Sequence, residues 1–363
     1  MRRCLSTLLF LAAAPLAPGQ TSPEVVSTRR PPPRLALPAL GENAIIRCER
    51  LVFEATSERL EAVGSVVVRS DRFNIDCENL TYDGQSKLMV ATGRAVQVAT
   101  EDISASGGAL TYNTETGAIA IRRASGGAQP QLIQQGDDST FTAIADVISI
   151  SVDSSGQSRA HFEGDVHVQN TVANAAASTA SRLAVPQIRV EIPGMGSSGV
   201  MTCSSLVYRS ATGDLTAGGG VIINTPDLFL DCQDFDYSQT TGRMVATGET
   251  VYLKKQDVES RCTRMTYLTD AGRIFLDRNR PGDPQPEVWQ NREDEIFHAV
   301  ADQITMTEMP EARTRVAWNG NVMVETLPVR ASAEAVSGPQ VPEPARPIES
   351  IDELPDAQVD PFA

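Results

Sequence analysis

Two of the chain's three histidines have a spacing that a metal site could use. His161 and His167 lie six residues apart in a segment of alternating polar and apolar residues, with Asp165 between them. Neutral imidazole is a common metal ligand in proteins. A later segment of the chain repeats this pattern with Ala317 and Met323 at the matching positions. We therefore favour two solvent-facing side chains and predict no metal site.

Four aspartates recur at corresponding places in the pattern described below. Stacked carboxylates of this kind occur in polysaccharide-cleaving β-helices, but the neighbours here are Cys and Ala at predicted strand starts, which favours solvated turn positions. No glycine-rich phosphate loop, nucleophile elbow or HExxH motif occurs. We predict no catalytic residues, no cofactor and no enzymatic activity. The aspartates are Asp76, Asp146, Asp231 and Asp302.

Five cysteines follow the predicted signal peptide, and an oxidising compartment would favour disulfides between them. They occupy the slot that Gly107 and Ala145 hold in related segments. Equivalent slots in paired strands lie two strand spacings apart, roughly 9.5 Å, beyond the usual reach of a disulfide. We favour small buried residues over bridges and leave the redox state open. The cysteines are Cys48, Cys77, Cys203, Cys232 and Cys262.

These residues are positioned by a sequence that occurs twice. Residues 34–123 match residues 189–278 without a gap at an offset of 155, and 26 of the 90 pairs are identical, against roughly one in fifteen expected by chance. After a one-residue slip the match continues to the end of each copy. The chain is therefore a tandem repeat, with a first copy at 34–170 and a second at 189–326.

Within each copy a shorter period of about 29 residues separates segments with apolar or small residues at every second position, as in 60–68, 160–168, 215–223 and 316–324. Period two is typical of strands with one buried face. Each period contains two polar turn clusters, and two reversals predict antiparallel strand pairs, whereas a parallel β-helix needs no reversal. The sequence thus predicts an all-β fold: two tandem β-jellyrolls, each a folded-over antiparallel sheet.

The rest of the chain is predicted to lie outside these two domains. Residues 1–19 have the charged start, short apolar run and small-residue cleavage site of a secretory signal peptide. Residues 20–33 and 327–363 are rich in proline with few aromatic residues, which predicts a disordered spacer and a disordered acidic tail. Residues 171–188 are predicted to be a linker. The net charge of −15 argues against nucleic acid as a partner.

The recurring motif resembles that of the LptA/OstA family of periplasmic lipopolysaccharide-transport proteins. The resemblance rests on variants of a repeated Ala-Asp-x-Ile/Leu-x-Tyr, a polar turn and Ala-x-Gly-x-Val, seen at 77–82 with 89–93, at 145–148 with 162–166 and at their copies. It implies a twisted β-jellyroll, open at both ends, whose apolar trough shields acyl chains. It also implies partner proteins of the same fold in the inner- and outer-membrane transport complexes, bound through open sheet edges. This chain differs by its duplication, its cysteines and its acidic tail.

The sequence leaves three functions open. The first is a non-catalytic periplasmic bridge that binds lipopolysaccharide or a similar envelope lipid. The second is a scaffolding β-solenoid that binds a protein along its open edges, and the third is a polysaccharide-active β-helix. The first two differ in whether the interior is an open trough or a filled core. Phe162 and Trp318 stand where related segments have a residue such as Ala62, and the sequence leaves open whether they plug the far end of each trough or line an opening. The predicted trough residues are Leu60, Ala62, Val66, Val68, Phe162, Val166, Leu215, Ala217, Val221, Ile223, Trp318 and Val322.

Overall fold

A computed structural model describes most of both copies. The predicted signal peptide and spacer lie outside the described residues, as do nearly all of the predicted linker and tail. All described residues belong to the compact unit Leu37–Ala363. They are 44–54, 56–70, 73–100, 103–136, 139–155, 157–172, 198–226, 228–291, 295–309 and 313–328.

The described part of the first copy contains eleven β-strands, most of them with alternating buried and exposed positions. They are β1 (Ile45–Arg47), β2 (Arg50–Glu54), β3 (Arg59–Arg69), β4 (Asn74–Asp83), β5 (Leu88–Ala99), β6 (Ile103–Asn113), β7 (Ile119–Arg122), β8 (Gln131–Gln135), β9 (Ser139–Ile144), β10 (Val147–Val152) and β11 (Ser158–Val172).

The second copy likewise contains eleven strands, and no α-helix occurs among the described residues of either copy. The strands are β12 (Val200–Arg209), β13 (Asp214–Asn224), β14 (Phe229–Ser238), β15 (Arg243–Lys255), β16 (Val258–Leu268), β17 (Arg273–Asp277), β18 (Glu287–Asn291), β19 (Glu295–Val300), β20 (Gln303–Met309), β21 (Arg313–Asn319) and β22 (Met323–Pro328).

Corresponding strands of the two copies are separated by the same number of residues as the repeated sequences. β13 begins 155 residues after β3, and β18 begins 156 residues after β8. The copies differ at their outer ends. The single strand β12 corresponds to the two short strands β1 and β2, and the single strand β11 corresponds to β21 and β22. The first and last strands of the described sheet are therefore divided where their counterparts are continuous.

Every strand pair is antiparallel, as the turn clusters predicted, and successive long strands pair in chain order. The pairing continues from one copy to the next, because β11 pairs with β12, with Phe162 opposite Leu206 and Val168 opposite Met201. The all-β, folded-over antiparallel fold is confirmed, and parallel coils are excluded for the described strands. β11 extends two residues into the predicted linker and β22 ends at Pro328, two residues into the predicted tail. The domain boundaries otherwise stay predictions.

The long strands bend near their middle, at points where the pairing register shifts. The shift lies between Val63 and Val66 in β3 and between Gly218 and Val221 in β13. A bulge adds a residue to one strand and bends it. The strand β6 shows the result, because one half of it pairs with β7 and the other half pairs with β8. Each long strand thus contributes to two arms that fold over one another.

We call one half the tyrosine arm, because Tyr82, Tyr112, Tyr208, Tyr237 and Tyr267 lie along it; it includes β7, β10, β17, β20 and β21. The other half, with β8, β9, β18, β19 and β22, is the opposite arm. The bend between the arms is the corner, and the open side facing it is the seam. Buried corner side chains are Val66, Cys77, Val96, Val166, Cys203, Val221, Cys232, Val251 and Cys262.

At the corner, two glycines leave the space that the carboxylates of two recurring aspartates occupy. Gly164 and Gly320 have φ of +77° and +67°, and a Cβ on either would lie 2.4 Å from a carboxylate oxygen of Asp146 or Asp302. The carboxylates of Asp146 and Asp302 lie beside the loops at the corner. Oδ1 of Asp302 accepts hydrogen bonds from the Arg278 side chain at 2.5 Å and from a neighbouring glutamine. Asp146 and Asp302 therefore stabilise corner loops, as the turn interpretation favoured, whereas Asp76 and Asp231 lie inside β4 and β14 and not in turns.

Candidate functional site

Ten of the twelve predicted trough residues are buried inside the folded sheet. Trp318 is partly buried and packs against the core, whereas Val322 is 49% exposed. The prediction that Val322 lies inside is wrong, because it lies beside β22, which pairs only with β19 among the described strands. The ten buried residues are Leu60, Ala62, Val66, Val68, Phe162, Val166, Leu215, Ala217, Val221 and Ile223.

The residues that alternate with these inward positions face outward, as the period of two predicts for strands with one buried face. Ser65, Arg69 and Thr216 are exposed and Glu61 is half-buried. Alternation therefore identified the inward face correctly in both copies. It did not distinguish a cavity from a packed core, because a buried position has the same sequence pattern in either case.

An aromatic pair crosses between the two arms in each copy. Phe162 on the tyrosine arm lies 6.4 Å from Phe141 on the opposite arm, measured between ring centroids. Trp318 lies 5.8 Å from Phe297, at the corresponding positions of the second copy. Side chains therefore fill the interior at these two places, where the sequence left open a plug or the lining of an opening.

The first copy encloses a small apolar cavity of about 40 Å³. Val98 and Leu132 line it from the opposite arm, and Leu110 and Ile119 line it from the tyrosine arm. Thr100 is the one polar residue among its described lining residues. A space of this size holds about one water molecule, so side chains nearly fill the first copy at this place.

The second copy has a larger hollow at the corresponding place. An apolar cavity of about 110 Å³ is lined by residues that include Leu230, Met265 and Ile274. It adjoins a wider and more polar hollow of about 420 Å³ nearer the seam. The two share Leu253, Lys255 and Ile274 as lining residues. The second copy therefore offers an apolar interior with a polar entrance.

An ion pair crosses the seam at this entrance. Nζ of Lys255, at the end of β15 on the opposite arm, donates to Oε1 of Glu308 on β20 of the tyrosine arm. Both follow the inward phase of their strands, after buried Leu253 and Met306. Their side chains are 33% and 42% exposed, and a pair this accessible to solvent contributes only about 0–1 kcal/mol to stability.

A tyrosine lies beside this ion pair. Burial raises the pKa of Tyr267, with a further contribution from the negative charge of Glu308. Tyr267 also lines the apolar cavity. Its hydroxyl is therefore a neutral donor at any physiological pH, and Lys255 is the one positively charged side chain among the described residues that line the two hollows.

The sequence analysis missed Lys255, Glu308 and the aromatic partners Phe141 and Phe297. A signal was present, because Lys255 falls at the inward position two residues after Leu253. The corresponding residues of the first copy are uncharged. Lys255 and Glu308 carry opposite charges at inward positions in only the second copy, and this pattern would have predicted a contact between them at the entrance.

The histidines lie away from these hollows. His161 and His167 are half-buried on the outer phase of β11, and burial lowers the pKa of His167. His298 stacks on Trp289 at 5.1 Å, and its Nδ1 lies 2.8 Å from Glu325. No group of three or more His, Cys, Asp or Glu side chains suited to a metal ion occurs within the described ranges.

The five cysteines after the predicted signal peptide are free in the structure. Val221 pairs with Cys232, and Val251 pairs with Cys262. Successive cysteines are therefore separated by a strand that has a valine at the facing position, and they lie two strand spacings apart as the sequence predicted. Burial raises the pKa of Cys232 and Cys262 to about 12. Both thiols therefore stay protonated at neutral pH and act as small apolar corner residues.

Across the described ranges, no helix is long and apolar enough to span a bilayer. No protein-family model matches the chain, and no curated protein matches its sequence. Among solved structures, part of the chain is similar to LptH, the LptA homologous periplasmic component of the lipopolysaccharide transport device from Pseudomonas aeruginosa. The identity is 15%, the match covers 30% of this chain and 75% of that one, and the TM-score is 0.25. A similarity this weak adds no argument about function.

Proposed function

We propose that this protein is a non-catalytic lipid-binding bridge of the periplasm that shields an acyl chain inside its folded sheet, with lipopolysaccharide as the expected lipid. The observation that carries the proposal is the apolar cavity of the second copy, which adjoins the polar hollow nearer the seam and shares Leu253, Lys255 and Ile274 with it as lining residues. The identity of the lipid and the periplasmic location rest on the resemblance of the repeated motif.

The chemistry of the cavity suits an acyl chain. Its wall is made of aliphatic, methionine and aromatic side chains that include Leu230, Phe235 and Met265. Each methylene group moved from water into such surroundings gains about 0.8 kcal/mol. Methionine side chains are flexible and adapt to irregular apolar ligands. A few methylene groups would therefore suffice for binding, without a catalytic group.

The partners implied by the resemblance are inner- and outer-membrane transport proteins of the same fold. Exposed large apolar residues among the described strands concentrate at the two ends of the sheet, with Ile45, Leu51 and Val52 near one end and Met323 and Val324 near the other. Among the described strands, β2 pairs only with β3, and β22 pairs only with β19. Free strand edges with apolar side chains suit pairing with another sheet.

Filling the cavity tests the lipid-binding function. Ile274 lines both hollows of the second copy, and Ile119 lines the small cavity of the first; the two residues are 155 positions apart. We expect Ile274→Trp to reduce photo-crosslinking or co-purification of lipopolysaccharide at least about tenfold, because loss of a few buried methylene contacts has that effect. Ile119→Trp is the matched control and should leave lipid binding unchanged.

The alternative is a scaffolding sheet that binds a protein along its edges. The filled corner and the two cross-arm aromatic pairs favour it, because they fill part of the interior in both copies. Equal lipid binding by the wild-type protein and both tryptophan variants, or no lipid binding at all, would favour the scaffold. Circular dichroism spectra would verify that each variant is folded.

A further inference from the structure

The entrance to the second copy's cavity carries an unusual group for an acidic protein. The chain has a net charge of −15, yet the described lining of this entrance includes one cation, Lys255, directly above apolar side chains. The neighbouring residue Lys254 points to the outer face instead, where its Nζ lies 3.0 Å from Glu259. Two adjacent lysines thus occupy opposite faces of the sheet.

The partner of Lys255 is weakly held. Glu308 is 42% exposed and lies at the end of β20, so its carboxylate can return to water without the cost of leaving a buried charge. Ser260, Gln290 and Thr314 line the same hollow and supply neutral hydrogen-bonding groups, and the carboxylate of Asp257 also lines it and accepts a hydrogen bond from Nε2 of Gln290. The entrance therefore offers an exchangeable ammonium together with neutral polar groups, next to an apolar interior.

We propose that Lys255 is an anion-binding residue for the headgroup of an amphiphile whose acyl chain lies in the second copy's cavity. A phosphate group replaces the Glu308 carboxylate on the Lys255 ammonium as the chain enters, and Glu308 turns to solvent. This inference rests on the proposed lipid-binding function and adds the headgroup class. A phosphate monoester competes well because it carries more charge and more acceptor oxygens than a carboxylate.

The exchange also opens the seam. While Lys255 contacts Glu308, the ion pair joins the two arms in front of Ile274 and Tyr267. When a headgroup takes the place of Glu308, the same lysine no longer ties the arms together. Binding of the anion and admission of the chain are therefore one step, and a neutral amphiphile lacks the group that displaces Glu308.

Isothermal titration of the full chain with two amphiphiles of equal chain length tests this proposal. The probes are monododecyl phosphate and dodecyl maltoside, each below its critical micelle concentration, and inorganic phosphate alone as a third ligand. We expect Lys255→Gln to weaken dodecyl phosphate binding about tenfold, the usual effect of losing one charge-assisted hydrogen bond, and Lys255→Arg to retain most of it. Glu308→Gln should strengthen it about threefold, since a competing charge is removed.

Several controls separate this inference from the proposed function. Lys254→Gln should leave dodecyl phosphate binding unchanged. Dodecyl maltoside should bind the wild-type protein more weakly than dodecyl phosphate does, and should bind Lys255→Gln no more weakly than it binds the wild-type protein, because that variant lacks the ion pair across the seam. Inorganic phosphate alone should not bind measurably. If both amphiphiles bind and Lys255→Gln affects neither, or weakens both equally, the headgroup role is wrong while lipid binding stands. If neither amphiphile binds the wild-type protein, both proposals are wrong. Tight binding of inorganic phosphate would also overturn the inference, because it would show an anion site independent of any chain.

Discussion

In the first copy, the inward position at the end of the fifth strand is Thr100, and Val152 lies at the matching inward position of β10. In the second copy the corresponding residues are Lys255 and Glu308, which form an ion pair across the seam. We call these two residues the rim of each copy. The cavities behind the rims of the first and second copies measure about 40 and 110 Å³. Two copies with the same strands therefore differ in how much interior they leave open and in the charge at the entrance.

The difference follows from where each residue lies. Corner side chains are fully enclosed, so any change in their volume disturbs close packing. Rim side chains remain partly in water, where a change of residue costs little stability. A duplicated fold of this kind can therefore keep one corner in both copies and acquire a different binding property at a single rim.

The largest expected effect tests whether the two corners are equivalent. Val66 and Val221 occupy corresponding corner positions and are both 0% exposed. An aspartate at either would bury a carboxylate without a partner, and we expect Val66→Asp and Val221→Asp to lower the free energy of unfolding by at least about 4 kcal/mol each. Urea denaturation followed by circular dichroism measures the change.

Ser65→Asp is the matched control for the corner variants, because Ser65 is exposed and its φ of 44° is one that aspartate tolerates. It should change the free energy of unfolding by less than about 0.5 kcal/mol. If Val221→Asp folded as well as Ser65→Asp, the corner of the second copy would be an open, hydrated trough rather than a packed one.

A smaller effect should distinguish the two aromatic pairs. Phe162 is fully buried, whereas Trp318 is partly exposed and its Nε1 has no hydrogen-bond partner among the described residues. We expect Phe162→Ala to cost about 3–5 kcal/mol of the free energy of unfolding, and Trp318→Ala about half as much. Equal losses in thermal or urea denaturation would contradict the conclusion that the interior is more tightly closed in the first copy.

The smallest expected effect comes from exchanging the rims. Lys255→Thr combined with Glu308→Val gives the second copy the rim residues of the first. Because the ion pair is partly exposed, we expect the free energy of unfolding to change by less than about 1 kcal/mol, as measured in the same denaturation experiments. A loss of several kcal/mol would contradict the weak, exchangeable contact between the arms that the proposed headgroup binding requires.

The sequence predicted the strands well because alternation and turn clusters are local signals that survive in every repeat. The alternation correctly placed Leu60, Val66 and Val221 on the inward face. The repeat of strand pairs correctly placed one intervening strand between successive cysteines. Val322 was misplaced because alternation does not reveal where a sheet ends. The cavity was not predictable, because its volume depends on how side chains from two distant strands meet, as Lys255 and Glu308 do across 53 residues.

The pairing of β11 with β12 has a consequence for how far one molecule extends. Sheets assembled from separate molecules lengthen only while protein concentration exceeds the dissociation constant of their contact. Here the two halves are parts of one polypeptide, and a covalent connection holds the pairing edges at a high effective concentration. Dilution in the cell cannot separate them. The doubled span of this sheet is therefore fixed at synthesis, whatever the abundance of the protein.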